Sequence, residues 1–356
     1  MNVVEISECF PNNFKPFTGE FILQQVKALS KHCKVITLVP LRFVPPKEIL
    51  SLNPVKLISN IYKWFSLLNQ TKNFSDGNLQ VIYFKYISLP RPYIEKVESK
   101  LINYFFFKKI KKIVAGFKPD IIYCNWIRPW AQLSNVLAKE FNVPFVLDHH
   151  EDLPTLKKLF PGNYKNFLKV FECTNKIIVH SSLNKKELLE EKLKLPEIKT
   201  IYLGQNFPVR QRSKDFNFDK AALICVSHLD EERKNVGDLI KALAIIKPKL
   251  DFNLKIIGDG ILKKKYINLC KELRMEDEVK FWGAKNQNEV EKILDESEIF
   301  ILPSYPEAFG IVFIEALAKG LPIITCEGCG GGEELKKLGY PLIEVKPKSP
   351  EDLANA

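Results

Sequence analysis

The sequence predicts an α/β chain made of two parallel-sheet domains, and three observations carry that reading. Short apolar runs that read as buried strands alternate along the chain with segments of helical periodicity. At 356 residues the chain is long enough for two domains, each burying a core of its own. A polar, aperiodic stretch from Gly204 to Asp219, with Pro208, Arg210, Arg212 and Lys214, separates the two sets of elements. Residues 1–205 are the expected first domain, 206–219 the linker and 220–356 the second domain.

In the first half, Val3 to Ile6 reads as a strand and Cys9 to Gly19 as a loop. A helix then starts at Thr18 or Gly19, with Phe21, Ile22, Val26 and Leu29 on one face, and Val35 to Val39 is the next strand. Strand, glycine-bearing loop, helix and strand open a Rossmann-like unit; no G-x-G-x-x-G is present, so a dinucleotide site has no support. Residues 47–118 are the least legible. Within them Tyr104 to Val114 mixes aromatics and lysines in a helix that reads either as core-facing with a solvated basic side or as lying on an anionic membrane. Pro119 to Cys124 is a strand, Trp130 to Phe141 a helix, and Val143 to Leu147 a strand ending in the polar cluster Asp148-His149-His150-Glu151-Asp152. Ligands of open α/β sheets sit at the carboxyl ends of strands, so that cluster is well placed. A metal pair of His149 and His150 is the rival, but neighbours on an extended chain point to opposite faces. Lys176 to Ser181 and Ile198 to Leu203 are the last strands of this half.

In the second half, Ala221 to Val226 is a strand, and Ser227 to Ala242 runs from loop into helix. Leu254 to Ile257 ends in the turn Gly258-Asp259-Gly260, Val279 to Gly283 is another strand end, and Glu289 to Leu294 is a helix. The central stretch follows. Ile299 to Leu302 is a strand ended by Pro303, Glu307 sits in a loop, and Ile311, Ile314, Leu317 and Ala318 recur at helical spacing from Gly310 to Gly320. Ile323 to Thr325 restarts a strand. Backbone N–H groups at a helix N-terminus opened by a glycine hold a phosphate without any side chain. Glu307 and Glu315 would then lie on either side of it, one acid for a sugar hydroxyl and the other for a ribose diol.

This stretch, with its Pro303-Ser304, Phe309-Gly310, Glu315-Ala-Leu-Ala318 and Gly320-Leu-Pro322 in register, resembles the Glu-x7-Glu signature of retaining glycosyltransferases of the GT-B fold, in the large GT4 group (glycosyltransferase group 1). The segment Phe10 to Leu29 is similar to members that build cell-surface polysaccharides, of the teichuronic-acid type. The resemblance covers nearly the whole chain and is most specific over residues 226–334. It implies an α/β GT-B architecture, two Rossmann-like domains facing across a cleft. It implies transfer of a sugar, with retention, from a nucleotide diphosphate sugar of UDP- or GDP-hexose type to a glycan or lipid-linked acceptor. By the same resemblance, Glu307 and His149 (with Asp152 following) are the catalytic residues, Glu307 on the donor sugar and His149 on the reacting face. Gly19, Arg233, Lys234, His228, Trp282, Ala308, Phe309, Gly310, Ile311 and Glu315 would bind the donor. Lys234 matches the family's diphosphate-binding lysine; the arginine position falls on His228, and Arg233 is the substitute cation. Gly328 to Glu334 resembles the family's glycine loop. The chain ends at Ala356, where members of the group usually continue through a further helix, so the final helix is expected to be lacking.

Composition narrows the rest. The net charge of +11 is uneven: residues 1–200 hold 30 Lys and Arg against 17 Asp and Glu, and residues 201–356 hold 23 against 25. An anionic membrane surface or lipid-phosphate acceptor fits the basic half; nucleic acid lacks any accompanying motif. No apolar run approaches the ~20 residues of a membrane span, and acids stand where a signal peptide needs positive charge, so a cytoplasmic location is expected, peripheral on the membrane face. The eight cysteines are scattered in apolar segments as free thiols are. No cofactor or metal is expected. A sugar-nucleotide epimerase or a phosphorylase would reuse this two-domain plan, but the motifs of neither are apparent. The other alternative is a catalytically impaired homologue that binds sugar nucleotide or membrane without turnover.

Overall fold

The structure is a computed structural model describing residues 1–43, 51–87, 95–210 and 220–356. It divides into two compact units, Met1–Tyr202 and Leu203–Ala356. Residues 211–219 of the expected linker lie outside the described residues.

Unit one contains β1 (Asn2–Ile6), α1 (Glu20–Ser30), β2 (Lys34–Phe43), α2 (Pro54–Gln70), β3 (Phe74–Asp76), β4 (Leu79–Ile87) and α3 (Glu95–Phe117). It continues with β5 (Ile121–Asn125), α4 (Ala131–Phe141), β6 (Phe145–His149), α5 (Leu153–Leu159), α6 (Tyr164–Glu172), β7 (Lys176–Val179), α7 (Ser182–Glu190) and β8 (Glu197–Thr200). The sheet has eight strands in the order β3-β4-β2-β1-β5-β6-β7-β8. Among the described residues only β3, antiparallel to β4, breaks the parallel arrangement. The chain leaves β1 toward β2 on one side and returns to β5 on the other, which makes β1/β5 the switch point.

Period-two alternation sends neighbouring strand residues into different cores. Val4, Ile36 and Ile122 pack with residues of α3, α4 and α6. Val3 and Val35 pack with Ile22 and Val26 of α1 and Trp64 and Leu68 of α2. The poorly legible region holds α2, capped by Asn53, whose side chain accepts from the amides of Val55 and Lys56. Its helical pattern is blurred because Val55, Ile58, Tyr62 and Phe65 remain exposed while Trp64 and Leu68 are buried.

Unit two contains β9 (Ala221–Val226), a 3₁₀ turn at Glu232–Lys234, α8 (Val236–Ile246), β10 (Phe252–Ile257), α9 (Lys263–Glu272), β11 (Val279–Gly283), α10 (Gln287–Asp295) and β12 (Ile299–Leu302). Then come α11 (Ile311–Ala318), β13 (Ile323–Cys326), α12 (Gly330–Lys337), β14 (Leu342–Val345) and α13 (Pro350–Asn355). Its six strands are all parallel, in the order β11-β10-β9-β12-β13-β14. The last helix, α13, packs on α8 and buries Leu353.

One expected element changes character. The glycine-rich segment read as a loop over 328–334 is mostly the first turn of α12. Glycine is needed there for space: a Cβ on Gly330 would stand 2.1 Å from the carbonyl oxygen of Ala308, and one on Gly331 1.7 Å from that of Phe309. The Gly330 amide donates to Glu307 O at 2.8 Å, so α12 is seated directly on the loop that carries Glu307.

Candidate active site

In unit two the site grows from the end of β12. The strand stops at Leu302, and the segment 303–310 crosses to the N-terminus of α11. Gly310 takes φ 75°, and a Cβ there would meet the Phe313 ring at 2.6 Å, so both backbone and space ask for glycine. Phe313 N donates to Gly310 O at 3.0 Å, and among the described residues no side chain caps α11 at Ile311 or Val312. Its first amides are therefore open donors at the positive end of the helix dipole.

Glu307 sits against this N-terminus, buried at 7% exposure. Lys234 Nζ lies 2.5 Å and Arg233 NH1 3.2 Å from its Oε2, and Ser304 Oγ donates to the same oxygen at 2.8 Å. Oε1 bonds to none of the described residues. Burial alone would raise this carboxyl's pKa, but Lys234 and Arg233, with the Ser304 hydrogen bond, outweigh it and hold the group down at about 2. The two cations come from the 3₁₀ turn after β9, and backbone stitching fixes that turn to the Glu307 loop. Tyr305 N donates to Arg233 O at 2.8 Å, Arg233 NH1 to Pro306 O at 3.0 Å, and Asn235 Nδ2 to Pro303 O at 2.8 Å. Arg233 also pairs with Glu231.

Glu315 lies on α11, and burial raises its carboxyl to about 7. Ala308, Phe309 and Ile311 flank the uncapped N-terminus, with Phe309 buried. Thus the structure brings together Arg233, Lys234, Glu307, Gly310 and Ile311. His228 is exposed in the loop after β9. Trp282, at the end of the edge strand β11, is 42% exposed with Lys255 Nζ 5.2 Å from its ring centre.

In unit one, Gly19 is the left-handed N-cap of α1, and a Cβ on it would fall 2.3 Å from Cys9 O. The choice of His149 needs correction. Its ring is wholly buried, edge-on to Phe171 at 5.0 Å, with neither nitrogen hydrogen-bonded, and burial pushes its pKa down to about 3. Strand alternation is the reason: Asp148 and His150 share one face and His149 takes the opposite, core-facing one. Asp152, expected to act with His149, instead caps α5 by accepting from Thr155 N at 2.8 Å. The imidazole at the sheet's carboxyl edge is His150, packed on Trp126 at 4.6 Å and Phe21 at 5.3 Å, with Nε2 2.9 Å from Asn125 Oδ1.

Sequence reasoning missed His150's companions, Asp148 and His180. The signal was available: β6 and β7 pair with His149 opposite Val179, so the next residues, His150 and His180, fall side by side. Their rings stack at 4.3 Å.

Residues 208–356 match the family described as glycosyl transferases group 1. Among curated proteins, the chain is 30% identical to an uncharacterized glycosyltransferase of Methanocaldococcus jannaschii, over 74% of this chain and 71% of that one. It is 25% identical to the putative teichuronic acid biosynthesis glycosyltransferase TuaC of Bacillus subtilis, over 100% of this chain and 88% of that protein. Among solved structures, sucrose-phosphate synthase from Thermosynechococcus elongatus aligns with TM-score 0.72 at 18% identity, and Anabaena HepE, solved with UDP and glucose, with 0.68 at 16%. Each alignment covers 100% of this chain and 88% of the other. These likenesses show the fold, which is GT-B.

Because Glu307 titrates lower folded than unfolded, its ion pairs stabilise the protein fully above about pH 4.5 and lose that contribution as pH falls toward 2. Urea denaturation from pH 6 to 2.5 is expected to show a wild-type advantage over Glu307→Gln that shrinks across this window. A pH-independent difference would contradict the ion-pair account.

Proposed function

We propose a specific reaction for this chain, which belongs to the group 1 glycosyltransferases: transfer of a hexosyl-type sugar from a nucleoside diphosphate sugar, with retention at the anomeric carbon and no divalent metal in the chemistry. The enzyme class is a glycosyltransferase, and the donor type, stereochemistry and metal independence are the proposal. The observation that carries it is the buried, ionised Glu307 set among Arg233, Lys234 and the uncapped N-terminus of α11.

Cleaving the sugar–phosphate bond develops negative charge on the leaving diphosphate. The amides of Ile311 and Val312, with Lys234 and Arg233, are preorganised donors for that charge. Glu307 uses Oε1 for a donor-sugar hydroxyl while Oε2 keeps the cations in place. Glu315 accepts from the ribose diol when ionised, and Trp282 lies on the base side. In unit one, His150, in place of His149, is the imidazole proposed to act in transfer, since it lies at the carboxyl edge of the sheet. By the sequence resemblance His228 falls at the family's arginine position, and Arg233 is proposed to supply that charge here.

The acceptor is proposed to be a glycan or lipid-linked glycan of a cell-surface polysaccharide, in keeping with the teichuronic acid relative. No helix among the described residues is long and apolar enough to cross a membrane. Two exposed surfaces of unit one suit a peripheral contact with anionic lipid: Val55, Ile58, Tyr62 and Phe65 of α2, and Tyr104 and Phe105 of α3 beside Lys108, Lys109 and Lys112.

Replacing Glu307 with Gln is expected to cut kcat on the order of 100-fold with little change in nucleotide affinity, while nuclear magnetic resonance of the wild-type product shows the donor's anomeric configuration retained. Full activity in Glu307→Gln, or an inverted product, would overturn the assignment. Wild type is expected to sediment with phosphatidylglycerol vesicles in low salt and to lose that binding in a Lys108→Glu, Lys109→Glu, Lys112→Glu variant; unchanged sedimentation would sink the membrane contact.

A further inference from the structure

The carboxyl edge of unit one carries a cluster that the transfer reaction does not use in full. Asp148, at 0% exposure, and His180, at 2%, are buried beside His150. One ligand atom from each of the three side chains lies within 4.8 Å of the other two. His180 Nε2 stands 2.7 Å from Asp148 Oδ1, and His150 Nε2 3.5 Å from Asp148 Oδ2. Although so close, neither Asp148 Oδ1 nor His180 Nε2 completes a hydrogen bond of normal geometry among the described residues.

The surroundings have the outer shell that metal-binding side chains need. His180 Nδ1 is 2.8 Å from Ile201 O, which makes it the N–H donor and leaves Nε2, turned to Asp148, as the ligating nitrogen. The other carboxylate oxygen, Oδ2, accepts from Tyr123 Oη and from Gln25 Nε2 at 2.9 Å, so Asp148 is held in orientation. His150 is clasped by Phe21 and Trp126. Two imidazoles and a carboxylate are a donor set for zinc and its borderline neighbours, not for magnesium or calcium. Around a tetrahedral ion with bonds near 2.0–2.1 Å the ligand atoms stand roughly 3.3 Å apart, so the three atoms, now within 4.8 Å of one another, would close on the ion by small side-chain rotations. His150 Nε2 would exchange its contact with Asn125 for the metal.

We propose that Asp148, His150 and His180 form a site for one zinc-type divalent ion, whose occupancy withdraws His150 and inhibits transfer. The inhibition rests on the reading of His150 given above; the binding does not. The ion takes no part in the reaction, and the open fourth position is left for water. The competing arrangement is a protonated His180 paired with Asp148, which leaves no ligand for a metal.

The binding test needs neither donor nor acceptor, so it stands apart from the transferase reading. Chelator-treated full-length protein is titrated with zinc by calorimetry and with cobalt by visible absorption. The expected result is one ion per chain at micromolar affinity or tighter, visible cobalt bands of four- or five-coordination, and at least 100-fold weaker binding in His180→Gln. No stoichiometric binding, or equal binding by wild type and His180→Gln, overturns the site. Should His180→Gln fail to fold, zinc-edge X-ray absorption of the wild-type complex decides: two imidazoles support the site, and none refutes it. In turnover, zinc is expected to inhibit wild type and to spare His180→Gln; inhibition of both alike would refute the regulatory half.

Discussion

A carboxylate buried beside a helix N-terminus must be kept ionised, and the second unit is arranged around meeting that demand for Glu307. Desolvation works against the charge, and only the convergence of Lys234, Arg233 and the Ser304 hydroxyl overcomes it. These partners arrive from two loops, one after β9 and one after β12, whose strands are neighbours in the sheet. Adjacent parallel strands deliver their carboxyl ends to one edge, and backbone bonds such as Tyr305 N to Arg233 O then lock the two loops in register. Fold topology and electrostatics are here one constraint.

The same loop is pressed from behind. Gly330 and Gly331 let the first turn of α12 lie against the carbonyls of Ala308 and Phe309, and Gly310 lets the chain turn over the Phe313 ring. The result is an anion-facing helix end with little room to relax, as a site that stabilises developing charge requires. The cations stay partnered by Glu307, so the proposed diphosphate would share them rather than recruit them from solvent.

How much of this was legible depended on periodicity and on neighbours. The strands at Val3, Ala221 and Ile299 and the helix after Gly310 were readable because continuous apolar runs and a glycine stop mark buried parallel strands and helix ends. The partnership of Glu307 with Lys234 was not, since it joins residues far apart in sequence and depends on the strand order. Helix α2 escaped notice because its exposed Val55, Ile58, Tyr62 and Phe65 erase the polar face that reveals an amphipathic helix. The glycines at 330–332 read as a loop by resemblance to the family's glycine loop, whereas in contact with the Glu307 loop they open a helix. At His149 the failure was one of register. In a period-two element a shift of one residue exchanges the core face for the site face, and His150 is the residue that the alternation presents.

The proposed reaction requires a nucleotide diphosphate to be held by α11's N-terminus with Lys234 and Arg233, independent of metal. The most direct measurement is calorimetric titration of the full chain with UDP, GDP, ADP and their sugars in the presence of chelator. The predicted result is selective binding of one nucleotide without metal, weakened about 10-fold or more by Lys234→Met. No binding by any of them, or binding that appears only when a divalent ion is restored, would contradict it.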